Sequence, residues 1–177
     1  MRRLGAWFAW VALLCAGVAA TSAAAQTLVR PSEVVYVHGT AMQAHQVVTP
    51  EELAAQPAEI VGTFTQARGA PGSETRTTVR GVRLAPWIER LGLRPAARAD
   101  WKNLLVTVTA TDGYRAHFTW AELVNTPAGE GALLLFERDG RPLDPREGRI
   151  ALMATADHRL GARHVRNVLR IEVRAVD

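Results

Sequence analysis

Residues Thr107 to Trp120 read TVTATDGYRAHFTW, a strand, a break at Asp112-Gly113 and a second strand. Leu104, Val106, Val108 and Ala110 share one face of the leading strand. Tyr114, Ala116, Phe118 and Trp120 alternate along the return. A one-residue slip would turn every side chain to the opposite face, so apolar positions have to meet apolar positions. A two-residue Asp-Gly loop would set Val108 against His117 and Ala110 against Arg115. A three-residue loop, Thr111-Asp112-Gly113, sets Ala110 against Tyr114, Val108 against Ala116 and Val106 against Phe118. That loop is a type I turn followed by an αL residue, a position that Gly occupies without a Cβ penalty. Asp112 is therefore read as a turn former and not as a catalytic acid. His117 falls on the solvent side with Thr107 and Thr109.

The flanking chain repeats this scale of short strands and short helices. EVVYVHG is a β-rich run, and TPEELAAQP is a helix with Thr49 as cap, Pro50 at N1 and Glu52 closing a capping box. IVGTFTQ is a strand and ARGAPGSETR a loop. TTVRGVRL leads into the helix APWIERLGL, with Trp87, Ile88 and Leu91 on one side and Gly92 as its stop. In TWAELVN, Thr119 and Glu122 form a second capping box. ALLLFERDGRPL is an apolar strand, Leu133 to Phe136, with a second Asp-Gly turn. GRIALMAT is another apolar strand, and DHRLGARHVRNV an Arg-rich connection with part-helical character. The terminal strand VLRIEVRAV alternates, placing Leu169, Ile171, Val173 and Ala175 inward. Two hairpins without a βαβ rhythm predict one α+β domain with a mixed or mostly antiparallel sheet and short helices.

The N-terminus reads as a signal peptide over residues 1–25: basic Arg2-Arg3, an apolar run from Leu4 to Ala20, and Ala23-Ala24-Ala25 as the cleavage site. Its apolar run is short for a membrane span. No other long apolar run follows, so no stable membrane insertion is expected once the signal is cleaved. The expected location is periplasmic or secreted, with residues 26–177 as the working domain. Removing Arg2 and Arg3 from 21 Lys+Arg leaves 19 against 17 Asp+Glu, a net +2 that, without interleaved aromatics, does not point to nucleic acid. The single cysteine, Cys15, lies in the signal, so the mature chain has neither a disulfide nor a thiolate. Only Ser32 and Ser73 remain as serines, away from any G-x-S-x-G, which argues against a nucleophilic hydrolase. Glu51, Glu52 and Glu122 are accounted for by capping, and Asp112 and Asp139 by turns, leaving no catalytic pair. A turn between them would let His38 and His45 face each other, but no histidine pair has helical ligand spacing, so no metal residues are assigned.

In order, TPEELAAQP, RGVRLAPWIERLGL, TATDGYRAHFTWAEL, ALLLFERDGRPLDPREGRIALM and GARHVRNVLRIEV resemble the molybdopterin-binding domain of sulfite-oxidase-type oxidoreductases, over nearly all of the mature chain. The resemblance implies that fold and a pterin pocket near the last of these segments, with Arg159, Arg163, His164 and Arg166 as its cofactor-binding residues. Arg suits the bidentate recognition of a phosphate. The family's enzymes bind molybdenum through a cysteine ahead of the RGVRL segment. Here that region, GTFTQARGAPGSETRTTVRGV, has none, and its Thr, Gln and Arg are no substitute for a soft thiolate. The expectation is a protein without molybdenum redox catalysis that binds a pterin or another anionic ligand, or else a non-catalytic module for a periplasmic protein partner. The strongly apolar run directly after Arg2-Arg3 fits export of an unfolded chain. Such a chain carries no cofactor across the membrane, which favours the module.

Overall fold

The computed structural model describes residues 31–68, 70, 72–94, 100–159 and 161–176. The signal read over residues 1–25, with Cys15, lies outside them. The first sheet has the order β2-β1-β11-β5-β6, built from β1 (Val35–His38), β2 (Gln46–Val48), β5 (Leu104–Ala110), β6 (Arg115–Thr119) and β11 (Val168–Ala175). The second has the order β10-β9-β7-β4-β3, with β8 paired to β7. Its strands are β3 (Val61–Arg68), β4 (Thr75–Arg83), β7 (Ala132–Arg138), β8 (Arg141–Pro142), β9 (Ala151–Ala154) and β10 (His164–Val165). The helices are α1 (Pro50–Ala54), α2 (Leu84–Arg90), α3 (Trp120–Asn125) and α4 (Pro127–Glu130). All pairings are antiparallel except β1 with β11. The chain is thus one α+β domain, with two sheets in place of the single sheet expected. No helix among the described residues is long and apolar enough to cross a membrane.

The β5–β6 register is the one the hydrophobic pattern dictates: Val106 opposes Phe118 and Val108 opposes Ala116. Gly113 has φ +87°, its amide donates to Ala110 O at 3.1 Å, and Asp112 Oδ1 accepts from the Tyr114 amide at 2.8 Å. Tyr114 departs from the expected inward alternation. It is 46% exposed and its hydroxyl donates to Ala162 O at 2.7 Å. The second Asp-Gly turn is tighter. Arg138 pairs with Arg141, leaving Asp139 (φ +50°) and Gly140 (φ +74°) as a two-residue turn, both positive as a type I′ turn requires. The terminal strand is also corrected. An irregularity between Val168 and Arg170 puts Val168 inside in place of Leu169, and Ala175 is exposed. The Arg-rich connection contains β10 and no helix among its described residues.

One core joins both sheets and the helices. Val37, Val106, Val108, Ile171 and Phe118 from the first sheet meet Val82, Leu134, Leu152 and Val165 from the second, with Leu53, Trp87, Ile88 and Trp120 from the helices. The second sheet is apolar on its other face too, where Val79, Leu133, Leu135, Leu143, Ala151 and Met153 cluster with Phe64. That explains why β7 and β9 read as continuous apolar runs and do not alternate.

A bulge in β7 then changes what this outer face carries. Gly81 pairs with Leu135 and Arg80 with Glu137, so Phe136 is the extra residue. The bulge moves Arg138 onto the outer face beside Val79. Gly81 admits it sterically, because a Cβ there would sit 2.6 Å from Leu134 O. Gly81→Ala is expected to lower stability by about 2–3 kcal/mol through overpacking. Gly113→Ala, with nothing within 4 Å of the added carbon, should lose only the αL preference of about 1–2 kcal/mol. Urea unfolding of the two variants measures the order.

Candidate functional site

The outer face of the second sheet supplies the floor of a cavity of about 310 Å³. Met153 and His164 are register partners on β9 and β10, and Gln66 and Thr77 on β3 and β4. Arg138 stands among them because of the bulge. The wall is the Asp144–Glu147 turn, which follows Leu143 as it folds down onto the outer cluster. The Glu147 amide donates to Asp144 O at 2.8 Å, and Asp144 Oδ1 accepts from the Arg146 amide at 2.8 Å. Arg166 completes the lining.

Glu147 is the centre of this arrangement and is 9% exposed. Arg138 grips it in a fork, Nε to Oε2 at 3.0 Å and Nη2 to Oε1 at 2.6 Å, and His164 Nε2 lies 3.1 Å from Oε1. Burial alone would raise its pKa. The hydrogen bonds from His164 and Arg138 and the Arg138 charge outweigh that and hold it at about 2, below its ordinary 4.5. A carboxylate this acidic is a poor general base near neutral pH. Its role is to fix Arg138 and His164, the latter donating from Nε2.

Asn167 locks the turn from outside. Its amide donates to Glu147 O at 2.7 Å, its Nδ2 donates to Arg146 O at 3.2 Å, and its carbonyl accepts from the Thr111 amide at 3.0 Å. Its φ of +49° is one that Asn tolerates better than most residues. The hairpin tip is thereby tied to the site, and a second hollow of about 220 Å³, lined by Asp112, Tyr114, Gly161, His164 and Arg166, opens beside the first.

The four residues singled out in the sequence separate by strand periodicity. His164 and Arg166 face the cavity. Arg163, one position away, faces the opposite side with buried Val165. Its guanidinium donates from Nε to Asp157 Oδ2 at 2.8 Å and from Nη1 to Glu122 Oε1 at 2.6 Å, and it stacks 4.6 Å from the Phe118 ring centroid. Hydrogen bonding to Asp157 is the largest influence on Arg163, raising its pKa further, while the same bond lowers that of Asp157. Its fork is filled by protein. Arg159 is exposed and does not line the cavity. Glu122 caps α3 only through its amide, to Thr119 Oγ1 at 3.1 Å. Its carboxylate goes to Arg163, so the expected second capping box is half formed. The first, at Thr49 and Glu52, is complete.

Arg138, Arg146, Glu147 and Asn167 were not legible as site residues. Asp144-Pro145 and Gly148 mark a turn, but nothing local to it announces a partner on β7 or β10. Arg146 and Arg166 are exposed and make no ion pair among the described residues. Three arginines, Arg138, Arg146 and Arg166, line the cavity against two carboxylates, Asp144 and Glu147, so it can attract and orient an anion.

No protein-family model matches the chain, and a search of curated proteins finds no match.

Glu147 generates a test. Its depressed folded pKa means that its contribution to stability is fully present above about pH 4.5 and is lost as the pH falls toward 2. Glu147→Gln strands Arg138 and is expected to lose about 3 kcal/mol at pH 7. Urea midpoints measured against pH should show wild type and variant converging across that acid window.

Proposed function

We propose that this chain is an exported, non-redox binding protein on a sulfite-oxidase molybdopterin-domain-like scaffold. It holds a small anionic ligand in the cavity on the outer face of the second sheet. The observation that carries the reading is the pair Arg146 and Arg166, two cations without an ion pair among the described residues, at the rim of a cavity whose only strongly buried carboxylate is already neutralised. Gln66 and Thr77 add neutral donors on the floor. The ligand class follows from the sequence resemblance and is a pterin bearing a phosphate or carboxylate. Export rests on the basic, apolar and A-x-A pattern of residues 1–25.

Molybdenum does not fit this donor set. Residues 26–177 contain no cysteine, Met153 is the one sulfur side chain at the cavity, and Glu147 is committed to Arg138 and His164. No redox step is therefore assigned. A second reading, a module for a periplasmic protein partner, is favoured by Tyr36 and Val47. They oppose each other in register on the first sheet and are 48% and 56% exposed.

Calorimetric titration with inorganic phosphate and with pterin-6-carboxylate tests the proposal. The expected result is 1:1 binding that weakens at least tenfold in Arg146→Ala/Arg166→Ala and at high salt, with Arg159→Ala unaffected. Absence of binding by either probe overturns the anion reading and leaves the interaction module.

A further inference from the structure

The outer face of the first sheet carries a row of side chains that neither the core nor the anion cavity uses. On β1 and β11, His38 lies beside Glu172. The last rung between β1 and β2 pairs Val37 with Gln46. The next rung out sets His45 against His38, and the two rings lie 5.9 Å apart at 69°. Val37 and Ile171 point into the core, so His38 and Glu172, one residue on, point away from it. His38 and Glu172 are half-buried and His45 is exposed.

We propose that His38, His45 and Glu172 form a binding site for a divalent transition-metal ion of the Zn2+ class. Neutral imidazole and carboxylate are the donors such an ion takes, and three protein ligands leave a position for water. Three neighbouring strands, each spaced by about 4.8 Å, bring these side chains within reach of one centre. A metal bonded to two imidazole nitrogens at about 2.0–2.1 Å holds their ring centres roughly 5–6 Å apart, close to the separation already present. The carboxylate has to swing over. As the side chains stand, no three His, Cys, Asp or Glu groups converge among the described residues. The neighbouring Tyr36 and Val47 are exposed, so the face is open for that rotation. Arg170 and Arg174 flank Glu172 on the same strand face, and their charge makes the ion exchangeable and not permanently held. The row ends at the next strands, where Glu172 neighbours Thr107 and Thr107 Oγ1 lies 3.1 Å from His117 Nδ1. His117 is thus engaged elsewhere and serves as a control.

Calorimetry with Zn2+, and the visible absorption of bound Co2+, test this on the purified full chain. The expected result is one ion per chain at micromolar affinity, reduced at least tenfold by His38→Ala or His45→Ala and severalfold by Glu172→Gln. His117→Ala leaves it unchanged. All three ligands lie outside the core, so the variants should keep the wild-type urea midpoint without metal. Lack of uptake at micromolar zinc, or uptake indifferent to both histidine substitutions, overturns the proposal. Neither outcome bears on the anion cavity, which lies on the other sheet.

Discussion

The buried carboxylate of Glu147 is the constraint around which the outer half of this protein is organised. An ionised group at that depth is tolerable only with charge and hydrogen bonds around it. Meeting that demand fixes three distant pieces of chain together: Arg138 at the end of β7, His164 on β10, and the turn that carries Glu147 itself. Arg138 reaches the carboxylate because Phe136 bulges. The bulge is tolerated because Gly81 has no side chain where Leu134 O approaches. A glycine on β4 thus sets where the neighbouring strand β7 presents the arginine that neutralises the cavity wall. Asn167 closes the arrangement by bonding the backbone of both Glu147 and Arg146 and by receiving the hairpin tip through Thr111.

Arg163 and His164 show how one strand serves two polar networks without mixing them. Alternation sends Arg163 toward Phe118, Glu122 and Asp157, and sends His164 toward Glu147. The Arg163 network anchors the connection between β9 and β10 to α3 and the hairpin. The cavity is then bordered by a strand that is pinned on its far side. Arg163 contributes by holding β10 in register, and the anion-facing charge comes from its neighbours.

What the sequence made legible follows the range of each interaction. The β5–β6 register, the Thr49 capping box and the stop at Gly92 all depend on residues within a few positions of one another, and periodicity or turn chemistry reveals them. The division into two sheets was hidden. β1 pairs with β11 across almost the whole chain, and the run of β7 conceals which of its two buried faces is which. Leu169 was expected inside because strict alternation cannot anticipate an irregularity at Val168–Arg170. Of the four residues that the resemblance singled out, His164 and Arg166 line the cavity and Arg159 and Arg163 do not. Arg138 and Glu147 were not legible, because they meet only after a bulge and a turn have redirected them.

The two sheets differ in what they leave for chemistry. The second is apolar on both faces, so the polar groups on its outer side have to be gathered at one place and satisfied mutually, which yields a preorganised cavity with fixed charges. The outer face of the first is polar and lies open around Tyr36 and Val47. There the His38 and His45 rings meet edge to face and Glu172 lies beside His38 in register, without side-chain hydrogen bonds among the described residues. Two exposed arginines beside a neutralised carboxylate suit an anion that arrives fully charged. Imidazoles and a carboxylate without hydrogen-bond partners suit a metal ion, whose own bonding supplies the order that the apo arrangement lacks. The contrast in donor type, arginines on one face and imidazoles with a carboxylate on the other, is the physical reason to expect different ligands on each.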